Sequence, residues 1–232
     1  MKHLFSSIIF LAIVIIGFFS IRFLIYGFPK SIENSRFNPT IPVNSENSPE
    51  SCENGDSLDA DIVQNSNEYS SLNYQFSFKA PIDLNYVKTT NDDVLHGIMF
   101  KQEKPRFTLG LSFAKTSEYC INQARAEYDH LDTKEKVLAH AIENRGDSVA
   151  KLMDPKTINI LGYKHFIKSG NSYFQYSYSS KLNTKDIEAP LNETVVVIFK
   201  GKFMYILFFG VISSDPIPDA NVNDVIDGLS FN

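Results

Sequence analysis

Apolar residues fall along this chain in three regimes. From Leu4 to Ile21 they run almost unbroken and without a charge, and beyond Arg22 the apolar character resumes through Phe23, Leu24, Ile25, Tyr26 and Phe28. From Ser31 to Leu72 they thin out among Asn, Ser, Glu, Asp and Pro with no sustained period. From Leu72 onward they alternate or recur at helical spacing, as in packed strands and helices.

The densest stretch is Thr194 to Ile212, TVVVIFKGKFMYILFFGVI. Val195 to Phe199 is β-branched and aromatic, and Phe203 to Phe209 carries large apolar side chains at successive positions, the pattern of strands covered on both faces. Lys200-Gly201 supplies a glycine where a two-residue hairpin turn needs a positive φ. Three consecutive valines and a mid-run glycine speak against a single buried helix. Strands covered twice need a layer on each side, which the rest of the chain must supply.

Other strands are predicted around this hairpin. Tyr74, Phe76, Phe78 and Ala80 alternate with polar residues up to Pro81, Val94 to Lys101 places Ile98 and Phe100 on one face, and Phe107, Leu109, Leu111 and Phe113 alternate with Thr108, Gly110 and Ser112. Their short connections favour antiparallel neighbours. Ile158 to Lys168 follows with a bulge or bend expected at Gly162, and Tyr173 to Ser179 puts Phe174, Tyr176 and Tyr178 on a shared face.

Helices interrupt the strands. Ser117 to Asp129 predicts one with Ala124 and Tyr128 inward. Asp132-Thr133-Lys134-Glu135 has the form of a capping box with Asp132 at the cap, ahead of Val137, Leu138, Ala141 and Ile142 at helical spacing. Asp219 to Leu229 predicts a closing helix, capped by Asp219 and apolar at Val222, Val225, Ile226 and Leu229, with Phe231 seating the tail.

The N-terminal run matches a bilayer core of about twenty residues. Phe18-Phe19-Ser20-Ile21-Arg22-Phe23 lacks the small-residue exit of a cleaved signal, so an uncleaved anchor over residues 1–30 is expected, and no cysteine stands directly after the apolar run to be acylated. Lys2 before the span and Arg22, Lys30 and Arg36 after it give no clear inside bias, and the long domain is expected outside the cytoplasm. Residues 31–71 then form a disordered polar tether, unable to offset ordering entropy by burial. Its acidic cluster, Asp56, Asp59 and Asp61, lacks the spacing of a calcium loop. The folded domain is expected over residues 72–232.

Composition narrows function. The chain has 232 residues, 43% of them hydrophobic, and a net charge of -5. Its basic residues are scattered among acids, which argues against nucleic acid as a partner. Ser112 sits inside an alternating strand rather than at the sharp turn a nucleophile needs. His3, His96, His130, His140 and His165 show no metal-ligand spacing, so neither metal nor cofactor is expected, and no enzyme activity. Asn192-Glu193-Thr194 fits a glycosylation acceptor but abuts a buried strand, and no role is assigned to it. Cys52 and Cys120 could pair outside the cytoplasm. A loop of roughly seventy residues would contribute ~4 kcal/mol in the chain-entropy model, mainly by pinning the tether to the domain.

The opening YQFSFKAP strand, paired strands, a middle helical segment, an aromatic hairpin and a closing DVIDGLSFN segment together resemble the PsbP-like family over residues 72–232. That family is named for an extrinsic subunit of photosystem II and includes bacterial periplasmic and lipoprotein relatives. The resemblance implies an α+β fold, an antiparallel sheet between helical layers, here preceded by a transmembrane helix and a linker. It also implies a binding or accessory role, and it transfers no functional residue.

Three functions are open at this point. The first is a membrane-tethered extracytoplasmic module that binds a protein partner in the cell envelope. The second is a small-molecule or lipid-binding domain whose pocket is lined by Phe174, Tyr176 and Tyr178, for which plain core packing is the competing account. The third is a periplasmic immunity-type protein that neutralises a toxin through an acidic cleft.

Overall fold

A computed structural model describes residues 61–81, 84–91, 96–103, 106–143, 154–184 and 187–232. The elements in chain order are β1 Val63–Asn65, β2 Glu68–Ser71, β3 Phe76–Lys79, β4 Leu84–Asn91, β5 His96–Glu103, β6 Arg106–Lys115, α1 Glu118–Asp129, α2 Lys134–Glu143, β7 Asn159–Lys168, β8 Asn171–Thr184, β9 Ile187–Lys200, β10 Phe203–Val211, α3 Asp219–Asp227 and β11 Leu229–Phe231. Seven strands form one antiparallel sheet in the order β4-β5-β6-β10-β9-β8-β7, and four form a second in the order β1-β2-β3-β11.

The β9–β10 hairpin lies at the centre of the large sheet because its side chains are apolar on both faces. Val195, Val197 and Phe199 of β9 with Met204, Ile206 and Phe208 of β10 face one core, where Ile121, Ala124 and Tyr128 of α1 and Val137 and Ala141 of α2 cover them. Val196, Ile198, Tyr205, Leu207 and Phe209 face the opposite core. Lys200 pairs with Phe203, so the loop is Gly201-Lys202, one residue later than the glycine alone suggested. Gly201 takes φ +55° there.

The second face departs from the expected helical layer. Phe76 and Phe78 of β3 cover it together with Val222, Val225 and Ile226 of α3, so that side is mostly a small sheet with one short helix. The closing helix ends earlier than its apolar spacing implies. After Gly228 the chain straightens, Leu229 pairs with Phe78, and Phe231 pairs with Phe76. Apolar spacing of three is ambiguous where a helix gives way to a short strand, and long-range pairing decides it.

The domain also starts before Leu72. β1 is fully exposed, and in β2 only Tyr69 is a large buried apolar residue, so burial gave no sequence signal. Turn chemistry holds this entry instead. The Asp61 carboxylate accepts hydrogen bonds from the Ser71 hydroxyl and from the backbone N–H groups of Leu72 (3.0 Å) and Asn73 (3.2 Å). Asp61 is thus a structural acceptor rather than a solvated linker charge, while Asp56 and Asp59 lie outside the described residues.

Two helix starts are shifted by one residue. The Thr133 hydroxyl accepts from the Lys136 N–H at 3.3 Å, making Thr133 the cap of α2, while Asp132 pairs with Lys136 at 2.7 Å. α3 begins at Asp219 after Pro218, with no side-chain cap. Among the described residues no helix is long and apolar enough to cross a membrane, and the Leu4 to Ile21 run lies outside them.

Candidate functional site

Among the described residues the large sheet ends at β4 on one side and at β7 on the other. The register of β7 against β8 shifts between Ile160 and Gly162, the bulge that Gly162 foreshadowed. At this end of the sheet the face opposite α1 and α2 holds a groove of about 520 Å³, lined by Gly162 and Lys164 of β7, Gln175 and Ser177 of β8, and Asn192 and Thr194 of β9. Pro216, Ile217, Pro218 and Asp219, on the chain leading into α3, close one side of it.

The side chains that form its floor, Gln175, Ser177, Asn192 and Thr194, are polar and uncharged, and Glu193, also in the lining, turns its side chain to the opposite face. The Ser177 and Thr194 hydroxyls lie 2.8 Å apart in a mutual hydrogen bond. The Asn192 amide donates to the Ser213 carbonyl at 2.6 Å, leaving its Oδ1 as an acceptor. Gln175 is only 5% exposed, and its Oε1 has no hydrogen-bond partner. An unsatisfied buried acceptor costs about 1–3 kcal/mol, which a bound donor would offset. Lys164 stands at the rim, its ammonium 5.4 Å from the Phe166 ring centre.

Phe174, Tyr176 and Tyr178 are not in this groove. Strand alternation turns them to the opposite face, where all three are buried beneath the helices. The Tyr128 ring lies 5.5 Å from Phe174, and His140 lies 5.9 Å from Tyr176. Glu193 shares their face and is 1% exposed. Desolvation pushes its carboxyl up to about 7, opposed by the Tyr178 hydroxyl, and neither carboxyl oxygen has a partner in good hydrogen-bond geometry. Burial, with the Glu193 charge, raises the Tyr176 hydroxyl, and burial pushes the His140 imidazole down to about 4.

The remaining candidates are placed as follows. Ser112 is fully buried inside β6. A ring nitrogen of His165 lies 3.3 Å from the Leu131 carbonyl, joining β7 to the loop before α2. Cys120 is buried in the first turn of α1, where its N–H donates to Ser117 Oγ at 3.3 Å, and Cys52 lies outside the described residues. Among the described residues no group of three His, Cys, Asp or Glu side chains is arranged to hold a metal ion. Sequence reasoning missed Gln175, Ser177, Asn192 and Thr194. Their signal was polar residues at alternate positions of apolar strands, on the face that attention to the aromatic residues passed over.

No family model matches the chain, and neither does any curated protein. Solved structures do. Cyanobacterial PsbP (CyanoP) of Synechocystis is 10% identical with a TM-score of 0.49, covering 71% of this chain and 91% of that one. A protein of Bacteroides thetaiotaomicron is 11% identical with a TM-score of 0.43, covering 68% and 45%. LpqN, described as involved in cell envelope biogenesis of Mycobacterium tuberculosis, is 14% identical with a TM-score of 0.28, covering 66% and 76%.

Proposed function

We infer that this protein is a non-catalytic binding module, held at a membrane by the Leu4 to Ile21 segment with its domain outside the cytoplasm, and that it docks an extended segment of a protein partner onto the β7 edge. The observation that carries this reading is β7 itself. It is ten residues long, among the described residues it pairs with β8 alone, and it exposes Leu161 at 46%, Tyr163 at 37% and Ile167 at 79%. An edge of this length presents a row of backbone donors and acceptors, and adding a strand satisfies them while covering the exposed side chains. The tether would keep the edge at high effective concentration beside partners in the same membrane.

The toxin-neutralising alternative calls for a strongly acidic cleft, whereas the groove lining sets Lys164 beside Asp219 and Glu193, and the Glu193 side chain is buried on the opposite face. To test the docking reading, a photo-crosslinking residue is placed at Ile167 or, as a control, at Leu72, which is 83% exposed in the turn between β2 and β3. Irradiation of native membranes should give a discrete protein adduct from position 167 and none from 72. Equal labelling at both positions, or none at 167, would discard the docking edge.

The same location predicts a Cys52–Cys120 disulfide that fastens the tether to α1, since thiols in an oxidising compartment pair when brought together. Denatured without reductant, the purified full chain should take up no alkylating agent, and after reduction it should take up two equivalents. Two equivalents before reduction would show that the pair does not form.

A further inference from the structure

We propose that the groove over β7, β8 and β9 is a binding site for a neutral saccharide, independently of whether the β7 edge takes a partner strand. The argument rests on what its floor can exchange. Gln175 offers an unpartnered buried acceptor, and Asn192 offers Oδ1 because its amide nitrogen is engaged with Ser213. The Ser177–Thr194 pair uses one hydroxyl hydrogen internally and leaves the other to donate.

An anion would call for donors alone and a cation for acceptors alone, whereas this floor mixes both without a formal charge. Hydroxyl groups of a sugar both donate and accept, so they match such an array. Pro216, Ile217 and Pro218 add an apolar wall for the C–H face of a ring, and with the Glu193 side chain buried on the opposite face, Lys164 and Asp219 place opposite charges in the lining, leaving no single sign to select a charged ligand. The volume of about 520 Å³ lies within the usual small-molecule range and admits a disaccharide.

Gly162 supplies the test. No atom lies within 4 Å of where its Cβ would be, so a larger side chain there enters open space. Full-length protein is purified in a polyoxyethylene ether detergent, which carries no sugar headgroup, and saturation-transfer NMR is recorded with millimolar cellobiose, maltose and N,N′-diacetylchitobiose. At least one disaccharide should receive saturation from the unmodified protein. Gly162→Trp should reduce that signal at least fivefold with an unchanged melting temperature, and Gln175→Leu should reduce it from a different strand. No transfer to any of the three, or transfer undiminished in Gly162→Trp, overturns the proposal.

Discussion

Replacing Glu193 with Gln is expected to stabilise the protein, relative to the unmodified chain, by an amount that grows by about 3 kcal/mol as pH rises from 4.5 to about 7. In the folded state the carboxyl holds its proton up to about 7, against an ordinary value of 4.5. Between those values the folded state carries a proton that the unfolded chain has released. Stability from this group is therefore complete below 4.5 and is lost as pH rises toward 7, at about 1.4 kcal/mol per unit.

His140 acts in the opposite sense. Its imidazole falls from 6.5 to about 4 on folding, so over that window the unfolded chain holds the extra proton and stability rises with pH. The two slopes nearly cancel between pH 4.5 and 6.5, and Glu193→Gln uncovers the histidine's. The groups around these two residues include the Tyr128 and Tyr176 hydroxyls from α1 and β8, both raised by burial and neutral across this range, with Glu127 acting on Tyr128 from α1 and the Tyr178 hydroxyl acting on Glu193. Chemical denaturation of both proteins at four pH values reads the difference directly. Parallel profiles would mean that Glu193 is ionised in the fold.

The second large effect is expected at Gly228. A Cβ built there lies 2.4 Å from the Lys79 carbonyl oxygen and 3.4 Å from the Phe78 ring. The Gly228 carbonyl accepts from the Lys79 N–H at 2.8 Å, so the clash falls where α3 hands the chain to β11. Its φ of -74° is ordinary, and the requirement for glycine is one of space alone. Gly228→Ala should cost about 3 kcal/mol, the upper end for overpacking, and lower the melting temperature by roughly 6–12 °C. Gly162→Ala, with open space around it, should leave the melting temperature within about 2 °C of the unmodified protein. Equal losses at the two glycines would contradict this account of β11 docking.

The central hairpin and the α1–α2 layer were legible because each element declares itself locally. Val195 to Phe199 is apolar at every position because it is covered twice, and Ala124, Tyr128, Val137 and Ala141 mark a 3.6-residue period. β4, β1 and β11 were not legible. Leu84–Asn91 is an edge strand with little apolar alternation, Val63–Asn65 buries nothing, and Leu229–Phe231 is a strand only because β3 stands beside it.

The candidate groove was hidden for a related reason. Gln175 and Thr194 could be read as the solvent-facing residues of half-buried strands. That their face is covered by a small sheet at one end and left hollow at the other depends on tertiary placement. Glu193 was equally silent, since nothing in LNETVVV distinguishes a carboxylate that meets water from one sealed under a helix.

The pairing of β3 with β11 joins residues about 150 positions apart in the chain. On the ribosome, Phe76 and Phe78 emerge early, yet the strand that completes their sheet does not exist until Phe231 has been synthesised. Closure over such a span is slow compared with local helix formation. The large sheet itself waits for its central strand β10, which ends at Val211, and its second face is closed only by the residues after that, so until they emerge the chain can still be threaded in extended form or met by a chaperone.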